Sequence, residues 1–280
     1  MDRRTFARTI AAGMAGLGLP VGRRDVSATS PPERGVLPPT TLPTRRLGRT
    51  GLDVPILALG GHHVGRAESE SAARVLVETA LEEGIRFFDN AESYQNGKAE
   101  RWLGAALEGV RSDVMIMTKT HSPRDRSADS ARRHLEGSLE RLRTDYLDVW
   151  QLHSTKSVED VDRAFRPGGA MEYIMRARDE GLVRFVGVTG HVTPAAHRRA
   201  LEYWDVGWRF DTFQFPINPI DYHQRSFQRQ VLVDIVARDI GMIAMKTSAD
   251  GRLLREGICT IEETLRYVWS LPVNVAVVGM

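Results

Sequence analysis

Residues 114–153 read VMIMTKTHSPRDRSADSARRHLEGSLERLRTDYLDVWQLH, and this stretch decides the fold. Two apolar runs, Val114–Lys119 and Tyr146–His153, enclose a charged segment whose Ser130–Leu142 part carries apolar residues at helical spacing. Apolar runs without polar alternation suit parallel strands covered on both faces. Parallel neighbours need a crossover of a dozen or more residues, usually a helix. The segment between the two runs has that length and pattern. Both runs also finish on a polar residue, Lys119 and His153.

The same unit recurs. Strands are expected at Ile56–Leu59, Ile85–Asp89, Val114–Lys119, Tyr146–His153, Val183–Thr189, Thr212–Phe215, Met242–Lys246 and Val273–Val278. Their ends fall roughly every 30 residues, one strand plus one helix. A second clear helical pattern covers Ser69–Glu83, with Val75, Leu76 and Leu81 expected to face the core. Gly84, Gly181 and Gly241 stand where helices should stop. Eight such units predict an α/β fold, a TIM (β/α)8 barrel. An open doubly wound sheet would place G-x-G-x-x-G after its first strand. Here Gly60-Gly61-His62-His63-Val64-Gly65 stands there instead. The last expected strand ends at Val278, so the barrel is expected to lack its final helix, leaving apolar surface open.

With 42% apolar and 26% charged residues the chain has the composition of a soluble globular protein with one sizeable core. Residues 1–28 read as a twin-arginine-type signal peptide: Arg3-Arg4, a modest apolar stretch Ile10–Leu19, then Val26-Ser27-Ala28 for cleavage. The expected location is therefore periplasmic or otherwise exported, with the twin-arginine translocase as a partner during export. The apolar stretch is too short and too rich in Gly and Ala to be a stable membrane anchor. Residues 29–43 form a Pro-rich linker and residues 44–280 the barrel. Residues 1–40 hold six arginines and three acids, and without them the net charge of +2 becomes −1. Nothing in that balance indicates a nucleic-acid partner. The single Cys259 rules out an intramolecular disulfide and a cysteine metal cluster.

In such a barrel, strand C-termini face the active site. Asp89 ends the second strand, Lys119 the third and His153 the fourth, with Tyr94 in the loop after the second. An acid, a phenol, an ammonium and an imidazole at one mouth are the parts for protonating a carbonyl oxygen. A nearby ammonium is expected to lower the phenol's pKa from ~10. Tyr94 would then be the general acid, supported by Lys119 and Asp89, with His153 aligning the substrate oxygen. None of these groups supplies a hydride, so a nicotinamide cofactor is required.

These residues sit in a chain that resembles the aldo-keto reductases over about residues 44–280. The likeness rests on RRLGRTGLDVPILALGG, on Asp89, Ala91 and Tyr94 of the Asp-x-Ala-x-x-Tyr motif, and on Lys119 and His153. It continues through GVTGH at Gly187–His191, Gln214 in FDTFQFPINP, and the terminal LPVNVAVVGM. The resemblance implies an NAD(P)H-dependent oxidoreductase acting on a small-molecule aldehyde or ketone, or on the alcohol in reverse. It implies NADP(H), with NAD(H) as the alternative, bound by Gly61, Thr189, Gln214, Met245, Lys246 and Arg252. Thr189 and Gln214 would contact the nicotinamide carboxamide, with Asn218 in the following segment.

Three departures stand out. Gly190 and His191 replace the family's Asn after Thr189, Met245 replaces a stacking aromatic residue, and the adenosine-binding segment after the eighth strand is missing. The competing readings are a catalytically impaired cofactor-binding barrel, a C-terminal truncation, and a metal-dependent barrel hydrolase built on His62, His63, His121, His153 and His191. Against the last, adjacent His62 and His63 are expected to point to opposite sides of an extended segment. No metal ligand set is assigned. His62, Trp204, Trp208 and Tyr222 are the candidates for lining the substrate pocket.

Overall fold

The computed structural model describes residue 37 and residues 39–120 and 124–279. The expected signal peptide, most of the linker, His121 and Met280 lie outside the described residues. A short antiparallel hairpin, β1 (Thr44–Arg46) and β2 (Asp53–Pro55), precedes eight parallel strands that close into a barrel. These are β3 (Leu57–Gly60), β4 (Phe87–Asp89), β5 (Met115–Thr120), β6 (Leu147–Leu152), β7 (Val183–Thr189), β8 (Thr212–Pro216), β9 (Gly241–Met245) and β10 (Val275–Val278). Each strand pairs with its sequence neighbour, and β10 pairs with β3 to close the ring. The expected TIM barrel is the observed fold. Among the described residues no helix is long and apolar enough to cross a membrane.

Two apolar cores follow from the strand pleat. Ala58, Phe87, Met117, Val149, Ile243, Val275 and Val277 fill the barrel interior, with Leu47 and Val54 of the hairpin region plugging one end. The opposite faces of the strands, with Phe88, Ile116, Trp150, Val186 and Phe213 among them, pack under the helices. The helix Glu70–Glu82 is capped by Ser69, whose side chain accepts from Ala72 N. It buries Leu76 and Leu81 as expected, but Val75 is 42% exposed. The buried stripe runs through Ala73, Leu76, Val77 and Ala80, so Val75 falls to the solvent side of the turn. Gly241, expected to stop a helix, is the first residue of β9; the helix Val233–Ala237 ends earlier and Asp239 (φ 52°) makes the turn.

Two further expectations fail. His62 and His63 lie in a helical turn, Gly61–Val64, with ring centroids 5.4 Å apart, rather than on opposite sides of an extended segment. Trp204 and Trp208 lie away from the barrel mouth. The Trp204 indole donates to Phe210 O and Trp208 packs on Phe165, both beside the N-terminal entry into β8.

Candidate active site

Alternation along each strand sorts side chains into two sets, and one set points inward. Phe87 and Met117 lie in the barrel interior, so two residues on Asp89 and Lys119 face the same way at the C-terminal rim. Val149 places Gln151 and then His153 in its row, and Ile243 does so for Met245. Thr189 pairs with Gln214 across β7 and β8. The mouth is thus assembled from residues at or beside six strand ends.

Tyr94 reaches this mouth through the turn after β4. Ala91 is fully buried and its N–H donates to the Asn90 side chain at 2.9 Å, while Tyr94 N donates to Ala91 O at 3.0 Å. Gln95, Asn96 and Gly97 then adopt left-handed backbone, at φ 47°, 54° and 77°, reversing the chain into the helix Lys98–Ala106. A side chain at Gly61 would strike Asp89 O at 2.7 Å, so the loop after β3 closes directly on the end of β4.

At the centre, Lys119 Nζ donates to Asp89 Oδ1 and, at 2.6 Å, to Asn90 O. Lys119 is 1% and Asp89 4% exposed. Burial pushes the ammonium below its ordinary pKa and the carboxyl above, each opposed by the partner's charge. The ammonium lies 5.4 Å from the centre of the Tyr94 ring, and the His153 ring stands edge-on to Tyr94 at 6.2 Å. The expectation that Lys119 would lower the Tyr94 pKa is not met. Burial first, and then the Asp89 charge, raise it, so the phenol stays protonated through neutral pH. His62 also meets Tyr94 edge-on, at 5.2 Å. Its imidazole is held below its usual pKa by burial, Arg66 and Lys246.

Several polar atoms around this centre are buried. Gln214 Oε1 and Asn90 Nδ2 are buried without a hydrogen-bond partner, and the Gln214 side chain faces the Asp89 carboxylate, whose pKa it helps to hold down. Such groups are costly unless something bonds them, and a primary carboxamide offers both donors and an acceptor. Thr189 is buried, and its carbonyl accepts from Thr155 N at 2.9 Å and from Thr155 Oγ1 at 3.2 Å. Where the resemblance leads one to expect Asn, Gly190 packs against Thr155, and a Cβ there would lie 2.5 Å from its hydroxyl. His191 beside it is exposed.

Met245 is partly exposed at the rim. Lys246 (φ 51°) forms an ion pair with Asp250 at 2.7 Å, and Arg252 pairs with Glu256 at 2.7 Å. Both cations expected to bind the cofactor are therefore engaged by carboxylates four residues on. Among the described residues no group of three or more His, Cys, Asp or Glu side chains is arranged to hold a metal ion.

Sequence reasoning missed Asn90, whose carbonyl and amide both belong to the mouth; its place beside Asp89 was the available signal. It also missed a buried pair that braces the His153 loop. Arg126 binds Asp160 through two bonds, at 2.8 and 3.0 Å, and donates to Ser154 O at 3.2 Å. Ser154 itself is left-handed at φ 57°. Arg126 lies 28 residues from Ser154 and 34 from Asp160, and no local pattern announces them.

Comparison with known proteins agrees with the barrel fold. The aldo/keto reductase family model matches residues 56–260. A probable voltage-gated potassium channel subunit beta of Oryza sativa subsp. japonica is 32% identical over 179 residues, covering 60% of this chain and 51% of its own. L-galactose dehydrogenase of Arabidopsis thaliana is 32% identical over 162 residues, 54% of this chain and 49% of its own. The chain spans about half the length of these curated relatives. A solved putative aldo-keto reductase from Pseudomonas aeruginosa superposes with a TM-score of 0.70 at 28% identity, covering 88% of this chain and 91% of that one.

Proposed function

Because this chain belongs to the aldo/keto reductase family, we propose that it is an NAD(P)H-dependent oxidoreductase interconverting an aldehyde or ketone with its alcohol. The observation that carries this reading is the buried Lys119–Asp89 pair lying against the Tyr94 ring, with His153 edge-on to the same ring. Tyr94 is the proton donor to the carbonyl oxygen. Its raised pKa keeps it in the donor form, and general acid catalysis of this kind contributes typically ~10²–10⁴-fold. Lys119 stabilises the negative charge left on the phenol, Asp89 holds Lys119 in place, and His153 orients the substrate oxygen. When bound, the nicotinamide supplies the hydride.

Gln214, Thr189 and the Asn90 amide fit its carboxamide, Gly61 leaves room beside Asp89, and Met245 offers a polarizable face to a flat ring. Lys246 and Arg252 are assigned to the phosphates of NADP(H), exchanging their present carboxylates for the ligand. The test is Tyr94→Phe, with NADPH binding followed by fluorescence and turnover followed with a generic aldehyde. Turnover should fall by at least ~10²-fold with cofactor affinity unchanged. Full activity in that variant would remove Tyr94 from the mechanism.

Export is proposed separately, on the order of Arg3-Arg4, Ile10–Leu19 and Val26-Ser27-Ala28. N-terminal sequencing of protein recovered from a host with a twin-arginine pathway tests it. A mature chain beginning near residue 29 is expected, and uncleaved cytosolic protein would overturn it.

A further inference from the structure

The loop after β8 forms a pocket of about 310 Å³ lined by Tyr222, His223, Arg225, Ser226, Arg229 and Gln230. Two guanidiniums and an imidazole line it, and no acidic side chain does. Several other arginines of this chain are matched to carboxylates: Arg111 and Arg184 to Asp148, Arg126 to Asp160, Arg141 to Glu100, Arg238 to Asp205. Among the described residues Arg225 and Arg229 take part in no ion pair. Two like charges sharing one pocket repel, and among the described residues no carboxylate forms an ion pair with either.

The pocket is also held in shape. Arg225 adopts a left-handed backbone at φ 47°, a conformation that a non-glycine residue keeps only where its surroundings impose it. Asn218 Oδ1 accepts from Ile220 N and Asp221 N at 3.1 and 3.0 Å, and His223 N donates to Ile220 O at 3.1 Å. Ser226 Oγ accepts from Arg229 N at 3.1 Å, and the Arg229 guanidinium lies 5.6 Å over the Tyr222 ring.

We propose that this pocket is a second binding site, for the phosphate group of a small molecule other than the dinucleotide. Guanidiniums present paired N–H donors that match phosphate oxygens bidentately, and an oxyanion between Arg225 and Arg229 cancels their repulsion. The volume stands at the small end of ligand pockets, ~300 Å³, so it takes a phosphorylated metabolite-sized molecule as well as the bare ion. Tyr222, a sequence candidate for lining the substrate pocket, lines this one, whereas Asp89, Tyr94, Lys119 and His153 do not, so the proposal does not depend on the reductase chemistry.

The experiment is calorimetric titration of the full chain with inorganic phosphate and with ribose 5-phosphate, in phosphate-free buffer, with and without saturating NADPH. Saturable binding is expected, unchanged by NADPH, weakened by added salt, and reduced at least about tenfold in Arg225→Gln/Arg229→Gln. Both side chains are exposed, so the double variant should melt at the wild-type temperature, which excludes unfolding as the cause. No binding, or binding that survives the double variant, overturns the site. Displacement of phosphate by NADPH also overturns it, by making the pocket part of the cofactor's own site. If the protein binds no NADPH at all, the reductase reading fails while the other arms still decide this one.

Discussion

Lys119→Met is the most informative single change, because it removes a charge that the fold has sealed against water. The replacement is similar in length and apolar, so packing is nearly conserved, while Asp89, 4% exposed, loses the cation it is paired with. Breaking a buried pair from one side costs roughly 3–5 kcal/mol, since the remaining charge keeps its desolvation penalty. Asn90 O loses its donor too, adding about 1 kcal/mol. Against a total stability of roughly 5–15 kcal/mol the variant sits near the edge of folding.

The loss has a ceiling, because Asp89 can take up a proton. Burial already raises its pKa, and without Lys119 it rises further. A carboxyl whose folded pKa lies above its unfolded one contributes stability at low pH that is lost as pH rises toward the folded value. Lys119→Met should therefore show stability falling, by up to about 1.4 kcal/mol per unit, as pH rises from the unfolded carboxyl value of about 4 to the raised folded value. Asp89→Leu/Lys119→Met, carrying neither charge, should recover most of the loss and lack the slope. Urea unfolding of the wild type and both variants between about pH 4 and pH 8 measures this. A cost below about 1 kcal/mol with no pH slope would mean that Asp89 is not dry, and the argument from burial would fall.

Glu100 is buried and accepts from Thr118 Oγ1 (2.6 Å), Ser138 Oγ (2.9 Å) and Arg141 Nε (2.7 Å), fastening a helix to β5. Glu100→Ala should cost about 2–3 kcal/mol, lowering Tm by roughly 4–12 °C in thermal unfolding, with cofactor binding nearly intact. Gly190→Ala sets a Cβ 2.5 Å from Thr155 Oγ1 and 2.6 Å from its carbonyl, so the Thr189–Gly190 corner must shift. NADPH affinity measured by fluorescence should drop more than tenfold, and an unchanged affinity would detach this corner from the cofactor. Burial alone would raise the Asp160 pKa, but hydrogen bonds and charge from Arg126 outweigh it and hold it low. The stability advantage over Asp160→Asn should stay constant from pH 7 to about pH 5 and shrink as pH falls through the depressed folded value. A gap that widens in acid would reverse the sign of that argument.

What could be read in advance divides by how local its cause is. A strand's pleat is local: once Val114–Lys119 is recognised as a run, the residue two beyond Met117 must face where Met117 faces, so Lys119 at the mouth follows from period two alone. The same step places Asp89 after Phe87 and His153 after Val149 and Gln151. Side-chain partnership is not local in that sense. Arg126 meets Asp160 only because β5 and β6 lie side by side, and Trp204 turns to the far end of the barrel because Phe210 waits there. His62 and His63 eluded the alternation rule because the chain coils directly after Gly60, where extended backbone had been assumed. The Lys246–Asp250 and Arg252–Glu256 pairs were within reach, since a spacing of four is the one at which such charges meet on a helical turn. Their carboxylates oppose, at short range, the phosphate-binding role assigned to these lysine and arginine side chains. If that role is right, Asp250→Asn should tighten NADPH binding, and more so at low salt, because it frees Lys246 from a competitor that any phosphate must displace. Weaker binding in Asp250→Asn would instead make the ion pair a support for the loop.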